Sequence, residues 1–344
     1  MGCCQSSRIN TEQERILTER LKEGIDADST KRLRILLGML NNKSLKTEVL
    51  FIDRPLIQVG KYKFNCLGYS AYIGSSKAFS FLFESGASLR HMEELFFSQN
   101  LRTITIICEK GFLNLLKFYL PLYMRHFRSS VASFRTSTLD LTDNQIAHEY
   151  AIHAACRTGM INIVSYLYNY FKKYPDTPTE FSLETFDDNN RDDAGLIACR
   201  SGSFLLVKLL FENCGVKFNR VNKYNENAIM VCVQADKKSE NFSYLEILIY
   251  LVEVVKVDIL FMYEDVLLTA ENPKIVRYLE EKLQEVGVFV KKNSIEKELR
   301  KTRVVRESLI SNGLGEAFDL SSFASSIESN ITAKETPFSF GEFL

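Results

Sequence analysis

The sequence has no tryptophan, only six prolines and no excess of charge of either sign. Because 43 Lys and Arg residues balance 43 Asp and Glu residues, no field of the whole molecule attracts nucleic acid. The chain also lacks a run of about 18 uncharged apolar residues, which a membrane-spanning helix needs. With 46% hydrophobic and 25% charged residues over 344 positions, the composition is typical of a folded protein with one large or two ordinary domains.

The sequence also lacks the usual patterns of catalytic and metal sites. There is no Gly-rich phosphate loop, no Gly-x-Ser-x-Gly elbow, no His-Glu-x-x-His and no kinase motif set. The carboxylate pairs Glu93-Glu94 and Glu280-Glu281 are predicted to lie on helix surfaces, where nothing raises a pKa. We therefore expect a protein that is not an enzyme and holds no cofactor.

The eight cysteines show no Cys-x-x-Cys pair and no Cys/His cluster with zinc spacing, so we expect no metal site. Three of them, Cys108, Cys156 and Cys199, fall at equivalent positions of a repeated pattern, where a small apolar side chain packs between helices. This spacing predicts reduced, structural thiols and a cytosolic compartment.

The repeated pattern is clearest at 151–167, which reads as a helix of small residues, a glycine, and a second helix with an apolar face. Placing Gly159 on Gly202 aligns the two Cys-Arg pairs of 156–157 and 199–200. Gly111, after Cys108-Glu-Lys, fits the same frame. These three glycines are predicted to close the turn between paired helices.

The pattern resembles the ankyrin repeat family, in which helix pairs of about 33 residues stack through a Gly turn. Ile152-His-Ala-Ala155, Gly159 and Ile163-Val164 match the family, and Leu82–Ala87 matches its Gly-Ala exit. The Thr-Pro pair of the family is missing, and the Gly-to-Gly spacings are longer. The resemblance implies an all-α, ankyrin-type helix-pair solenoid, with His153 hydrogen-bonding backbone between the finger loops. A HEAT- or armadillo-like α-solenoid is the alternative.

Two long segments lie between the helix pairs, 124–145 and 172–193. The second carries a dense acidic run, which is either a solvated loop or a finger that binds a basic partner segment. The regular alternation of a calcium loop is absent. The predicted partner-binding residues of this finger are Asp187, Asp188, Arg191, Asp192 and Asp193.

The first residues, Met-Gly-Cys-Cys-Gln-Ser-Ser, fit the N-myristoylation pattern at Gly2. One myristoyl chain gives only marginal membrane binding, about 10⁴ M⁻¹, so a second signal is needed. The thiols of Cys3 and Cys4 are available for palmitoylation. We expect the protein to be attached as a peripheral protein to the cytoplasmic face of a membrane through these acyl chains.

Composition and pattern divide the chain into five segments. A charged helix is predicted at 12–23, broken at Gly24. The basic region 291–307 is either a helix that lies on anionic lipid or the last polar helix of the stack. The segments are a lipidated N-terminal segment with a short helix (1–28), a capping helix and loop (29–59), about six degenerate ankyrin repeats (60–285), a basic C-terminal helix (286–310) and a disordered Ser-rich tail (311–344).

Together these patterns predict a membrane-tethered ankyrin-repeat scaffold, or adaptor, that mediates protein–protein interaction without catalysis. Another protein would bind its concave face or finger loops, because stacked helix pairs present an extended surface and not a closed pocket. The alternative is a soluble ankyrin-repeat regulator or inhibitor of a partner enzyme. We expect a monomer that does not bind nucleic acid.

Overall fold

The protein is mostly helical in the computed structural model, which agrees with the expected all-α class. The structure describes residues 11–41, 51–126, 149–173, 178–187, 189–238 and 244–289. The chain divides into two units, residues 1–278 and residues 279–344. In the second unit, the described residues are the end of the last helix and the turn that follows it, up to residue 289.

The described helices come largely in pairs, and one short β-hairpin precedes the third helix. A π-helical turn at Leu251–Val255 and a 3₁₀ turn at Thr179–Phe181 complete the regular structure of the described ranges. In chain order the elements are α1 (Thr11–Asp26), α2 (Thr30–Asn41), β1 (Ile57–Val59), β2 (Tyr62–Phe64), α3 (Cys66–Ile73), α4 (Ser76–Glu84), α5 (Leu89–Phe97), α6 (Thr103–Glu109), α7 (Leu113–His126), α8 (Ala151–Arg157), α9 (Ile161–Phe171), α10 (Ala194–Ser201), α11 (Phe204–Glu212), α12 (Ala228–Lys238), α13 (Tyr244–Tyr250), α14 (Tyr263–Thr269) and α15 (Pro273–Glu285).

The first helices of successive pairs form one row, in which α1, α3, α6, α8, α10, α12 and α14 each pack against the next. Small side chains allow this close approach: Ala154, Ala155 and Ala198 are completely buried. The equivalent thiols Cys108, Cys156 and Cys199 are also buried in this row, as their spacing predicts. The six described cysteines are all free thiols.

The second helices form a parallel row with two described stretches, α2–α4–α7 and α9–α11–α13. Their inner faces carry larger apolar side chains, among them Leu82, Leu167 and Leu210, all fully buried. Between the two helices of several pairs, the chain turns at a glycine. Gly111, Gly159 and Gly202 have φ of 75°, 69° and 71°, a left-handed conformation that side chains with a Cβ rarely adopt.

The first helix is longer than the sequence pattern predicts, because it continues through Gly24 to Asp26. A Cβ on Gly24 would lie 3.0 Å from Cδ2 of Leu33 in α2. The glycine therefore allows α1 and α2 to pack closely and does not end the helix. The turn comes at Asp28, which has φ of 45°.

The pair α1–α2 packs on the first repeat-like pair, and polar side chains fix this contact. The carboxylate of Asp28 accepts a hydrogen bond from the backbone N–H of Ala78 (2.8 Å), at the start of α4. The hydroxyl of Tyr69 donates to Asp26 (2.6 Å), and that of Ser75 donates to the carbonyl of Ile25 (2.7 Å).

Two elements were not predicted, the β-hairpin and α5. The hairpin pairs Ile57 with Phe64 and turns at Gly60, which has φ of 58°. Helix α5 packs against β2 and α3. The Gln99 side chain, just after α5, accepts from the N–H of Lys63 (2.7 Å) and donates to its carbonyl (2.8 Å), so it caps the open edge of the hairpin.

Several predicted segments lie outside the described residues. They are the acylation residues Gly2, Cys3 and Cys4, most of the first long segment 124–145, the basic region 291–307 and the tail 311–344. Where helices are described, none combines the length and the apolar character required to cross a bilayer.

Candidate partner-binding surface of the finger loops

Three loops each precede the first helix of a pair. We call them finger A (182–193, before α10), finger B (218–227, before α12) and finger C (256–262, before α14). Finger A folds back on itself through a bridge between Phe186 and Asp193. The backbone N–H of Asp187 donates to the carbonyl of Asp192 (2.9 Å). Finger A is therefore an ordered turn and not an extended solvated loop.

Three carboxylates of finger A, those of Asp187, Asp192 and Asp193, form hydrogen bonds within the fold. The Asp187 carboxylate accepts from the backbone N–H groups of Asn190 (2.9 Å) and Asp192 (2.8 Å). Asp193 caps α10 by accepting from the N–H of Leu196 (3.0 Å), a usual role of Asp at a helix start. Burial raises the pKa of Asp193, against the effect of the Leu196 N–H.

Asp192 is the centre of a buried network between fingers A and B. Its side chain is almost fully buried; it accepts from Nε of Arg200 (2.6 Å) and from the Asn222 amide (2.9 Å). The same Arg200 also pairs with Glu226 (3.1 Å). Asp192 and Asp193, which the sequence predicts as partner-binding carboxylates, are both buried and hold the loop in place.

Finger B repeats the construction of finger A with an amide in place of a carboxylate. The Asn222 side-chain oxygen accepts from the N–H groups of Tyr224 and Glu226, both at 3.0 Å. The N–H of Asn222 donates to the carbonyl of Glu226 (3.1 Å), and Asn227 caps α12 by accepting from the N–H of Met230 (3.0 Å). An Asp or Asn at the start of each turn explains why both fingers are closed in the same way.

The three fingers are linked side by side. The N–H of Lys223 in finger B donates to the carbonyl of Asn190 in finger A (3.1 Å). On the other side, the Asn227 amide donates to the carbonyl of Asp258 in finger C (3.4 Å). The three loops therefore form one hydrogen-bonded row.

The exposed side chains on the tips of fingers A and B include cationic and aromatic ones. Phe186 remains 37% exposed, although the guanidinium groups of Arg191 and Arg220 lie 5.7 and 5.6 Å from its ring centroid. Tyr224 is 58% exposed, and the ammonium of Lys223 lies 4.8 Å from its ring. These aromatic–cation pairs are typical of surfaces that bind proteins.

Arg191 is the one described member of the predicted set that lies exposed on this surface. Asp187 is partly exposed but turned towards backbone N–H groups, and Asp188 lies outside the described residues. Sequence reasoning missed Phe186, Arg220 and Tyr224. Tyr224 directly follows Lys223 and was readable. The guanidinium groups near the Phe186 ring come from Arg191 and Arg220, which are not its sequence neighbours.

A row of acid–donor pairs joins the first helices beneath the fingers. The same contact recurs at the start of three successive first helices. In each, an acidic residue directly precedes the N-cap position and binds a hydrogen-bond donor eight positions later in the chain. The pairs are Glu149 with Arg157, Asp192 with Arg200 and Glu226 with Gln234. Neighbouring pairs are also connected, since Arg157 binds Glu109 of α6 and Arg200 binds Glu226. Because this acid–donor contact recurs, matching residues of successive helix pairs have similar surroundings.

A polar cluster lies between α5, α6, α7 and the 3₁₀ turn. Arg102 forms an ion pair with buried Glu180 (2.8 Å), and the hydroxyl of Tyr123 donates to Glu180 (2.5 Å). The hydroxyl of Tyr119 donates to Glu93 of α5. Burial raises the pKa of Glu93 to about 7, while the hydrogen bond from Tyr119 lowers it. The expectation that nothing raises the pKa of this carboxylate is wrong, because Glu93 is partly buried and bonds Tyr119 of α7.

The residues predicted to be structural lie in a first helix and at the turns between paired helices. His153 is fully buried in α8, with its Nε2 atom 3.2 Å from the carbonyl oxygen of Thr185 in finger A. Gly111 and Gly159 lie at equivalent turns, and their Cα atoms face Met160 and Ser203 of the next turn. In the described ranges, no group of three or more His, Cys, Asp or Glu side chains is placed to hold a metal ion.

The chain matches no protein-family model and no curated protein. Its function is therefore inferred from its own residues and their contacts.

Proposed function

We propose that the protein is a membrane-tethered, ankyrin-type repeat scaffold that binds another protein through its finger loops. The observation that carries this proposal is the continuous row of fingers A, B and C, closed by Asp187 and Asn222, beside a row of packed first helices. Such a row presents several loops to one partner without a closed pocket, as in repeat proteins that bind other proteins.

The ankyrin type is favoured over a HEAT or armadillo type by the local construction of the pairs. Each of three pairs turns at a left-handed glycine, Gly111, Gly159 or Gly202. Two fingers end in an Asp or Asn that caps the next first helix, Asp193 and Asn227. The buried His153 at the start of a first helix contacts the backbone of a finger, which the family resemblance implies.

The tether is proposed from the sequence at Gly2, Cys3 and Cys4. A myristoyl chain on Gly2 with palmitate on either thiol supplies the two signals that stable anchoring needs. Tethering raises the local concentration of a bound protein, so that moderate affinity at the fingers is sufficient. Removal of palmitate would make the attachment reversible.

Acylation is tested with the full chain expressed in eukaryotic cells that receive an alkyne-labelled myristate. We expect the wild type to carry the label and to sediment with membranes, and Gly2→Ala to lose both properties. Cys3→Ser/Cys4→Ser should keep the label but sediment less, because one chain binds only marginally. Cys214→Ser, which removes a partly exposed thiol elsewhere, is the control.

Scaffolding is tested by proximity labelling from the full chain in the same cells. The wild type should label a reproducible set of proteins that Gly2→Ala labels less, since the mutant has left the membrane. A Gly2→Ala protein that stays in the membrane fraction contradicts the tether. A wild type that labels no protein above a lipidated, unrelated control contradicts the scaffold.

A further inference from the structure

Among the described residues, the tips of fingers A and B carry exposed charge of one sign. Between residues 186 and 191 and between residues 219 and 225, the described and exposed charged side chains are Arg191, Arg220 and Lys223. In the described ranges, Arg191 and Lys223 form no ion pair, while burial raises the pKa of the Asp193 carboxylate and the charge of Arg220 acts to lower it. The Asp187 carboxylate on the same surface is already satisfied by two backbone N–H groups. Acidic groups from another molecule would therefore find exposed cations on this surface, two of which form no ion pair within the described part of the chain.

Apolar side chains are exposed between these cations. Phe186 and Tyr224 are 37% and 58% exposed, and Val221 is 40% exposed. The two guanidinium groups stack near the Phe186 ring, which leaves their N–H edges available for bidentate contacts with carboxylates. A partner that fits this surface combines carboxylates with an aromatic or large aliphatic side chain.

We propose that the tips of fingers A and B bind an acidic peptide segment that contains an aromatic or large aliphatic residue. The carboxylates pair with Arg191, Arg220 and Lys223, and the apolar residue packs against Phe186 and Tyr224. This proposal rests on the proposed scaffold function and names the chemistry of its partner. The acidic run predicts a basic partner segment, whereas the partner proposed here is acidic, because the described carboxylates of that run are turned inward.

A peptide fits better than an anionic membrane for two reasons. Electrostatic attachment to lipid typically uses clusters of four to eight basic residues, whereas three are exposed here. The cations are also held in fixed positions, because the finger backbones are joined by the hydrogen bond of Lys223 N–H to the Asn190 carbonyl. Fixed positions favour a partner of defined geometry over a fluid surface.

The test selects peptides from a random 12-residue display library on the purified full chain. We expect selected peptides to be enriched in Asp and Glu together with Phe, Tyr or Leu. Their affinity should fall about tenfold in Arg191→Gln/Arg220→Gln/Lys223→Gln, since each exposed ion pair contributes a modest amount. It should also fall in Tyr224→Ser, and it should weaken at high salt.

The matched control is Arg90→Gln/Lys208→Gln/Lys274→Gln, which removes the same charge from exposed helix positions elsewhere. It should bind the selected peptides as the wild type does, and thermal unfolding should show that both triple variants remain folded. If no acidic peptides are enriched, or if the finger variant binds them as tightly as the control does, the proposal is wrong.

A second arm measures binding of the Gly2→Ala chain to vesicles of phosphatidylcholine with and without 30% phosphatidylserine. Binding to the anionic vesicles that is lost in the finger variant but kept in the control would assign the surface to lipid and overturn the peptide proposal. Proximity labelling that succeeds while peptide selection fails would leave the scaffold function standing and reject only this partner chemistry.

Discussion

Glu93 is a single carboxylate whose surroundings change its chemistry. It lies on α5, accepts a hydrogen bond from Tyr119 of α7, and is near the Arg102–Glu180 ion pair. Burial raises its pKa to about 7, from a usual value of 4.5. The hydrogen bond from Tyr119 and the charge of Arg102 act in the opposite direction, and Glu180 adds to the increase. Its neighbours are bonded to one another, which is typical of a structural cluster.

This raised pKa makes stability depend on pH. As the pH rises from 4.5 to 7, the unfolded chain releases the Glu93 proton while the folded chain retains it, so the free energy of unfolding decreases. Above pH 7 the loss is complete, at about 2 kcal/mol for a partly buried group. Glu93→Gln keeps an acceptor for Tyr119 and should remove this decrease. Urea unfolding at pH 5, 6, 7 and 8 measures the difference between variant and wild type.

Glu94, its neighbour on α5, provides the control. It is exposed and pairs with Arg90 at 2.8 Å, and exposed pairs contribute little to stability. Glu94→Gln should therefore follow the pH profile of the wild type. If Glu93→Gln also follows that profile, the carboxylate is not protonated in the folded protein at neutral pH.

At the scale of elements, the turn between paired helices depends on a backbone conformation. Gly159 has φ of 69°, and a Cβ there would lie 3.3 Å from Cβ of Ser203. Gly159→Ala should therefore decrease the free energy of unfolding by about 1–2 kcal/mol, from backbone strain and this close contact. Chemical denaturation of the full chain measures the change.

Gly38 is the matched position for this comparison. It lies inside α2, and a Cβ there would meet no atom within 4 Å. Gly38→Ala should stabilise the protein by about 0.5–1 kcal/mol, because alanine loses less backbone entropy in a helix. Equal effects of the two substitutions would show that the Gly159 turn does not require the left-handed conformation.

The elements that the sequence predicts well are those with local signals. Gly159 and Gly202 mark their turns because the required backbone conformation favours glycine at that point. The hairpin turn at Gly60 was also readable, from two alternating runs around a glycine, but it was not recognised. The direction of the Asp192 side chain was not readable, because it depends on Arg200 and on Asn222 of the next finger.

At the scale of the whole molecule, the balance of 43 acidic and 43 basic residues conceals an uneven placement. In finger A, the carboxylates of Asp187 and Asp192 are turned towards the fold, where they bind backbone N–H groups and Arg200. Cations such as Arg220 remain at the tips. The net charge of the whole chain therefore does not indicate the chemistry of a partner, because a chain without net charge can still carry a charged region on its surface.

Stacked pairs also predict how a local change spreads through residues 11–278. In a repeat array each unit is stabilised mainly by its neighbours, so Asp192→Ala should affect the elements that Asp192 joins. Removing one partner of this buried pair should cost about 2–3 kcal/mol locally. We expect faster amide hydrogen exchange in α10, α12 and fingers A and B, and unchanged exchange in α3 and α4.

Hydrogen exchange with mass spectrometry on the full chain measures this pattern, and Glu184→Ala is the control. Glu184 lies on finger A, but its side chain is exposed, so its removal should leave every segment unchanged. If Asp192→Ala accelerates exchange equally in α3 and α10, the helices unfold as one cooperative body. That result would contradict the nearest-neighbour stacking on which the scaffold proposal depends, because a uniform response is what a single shared core gives.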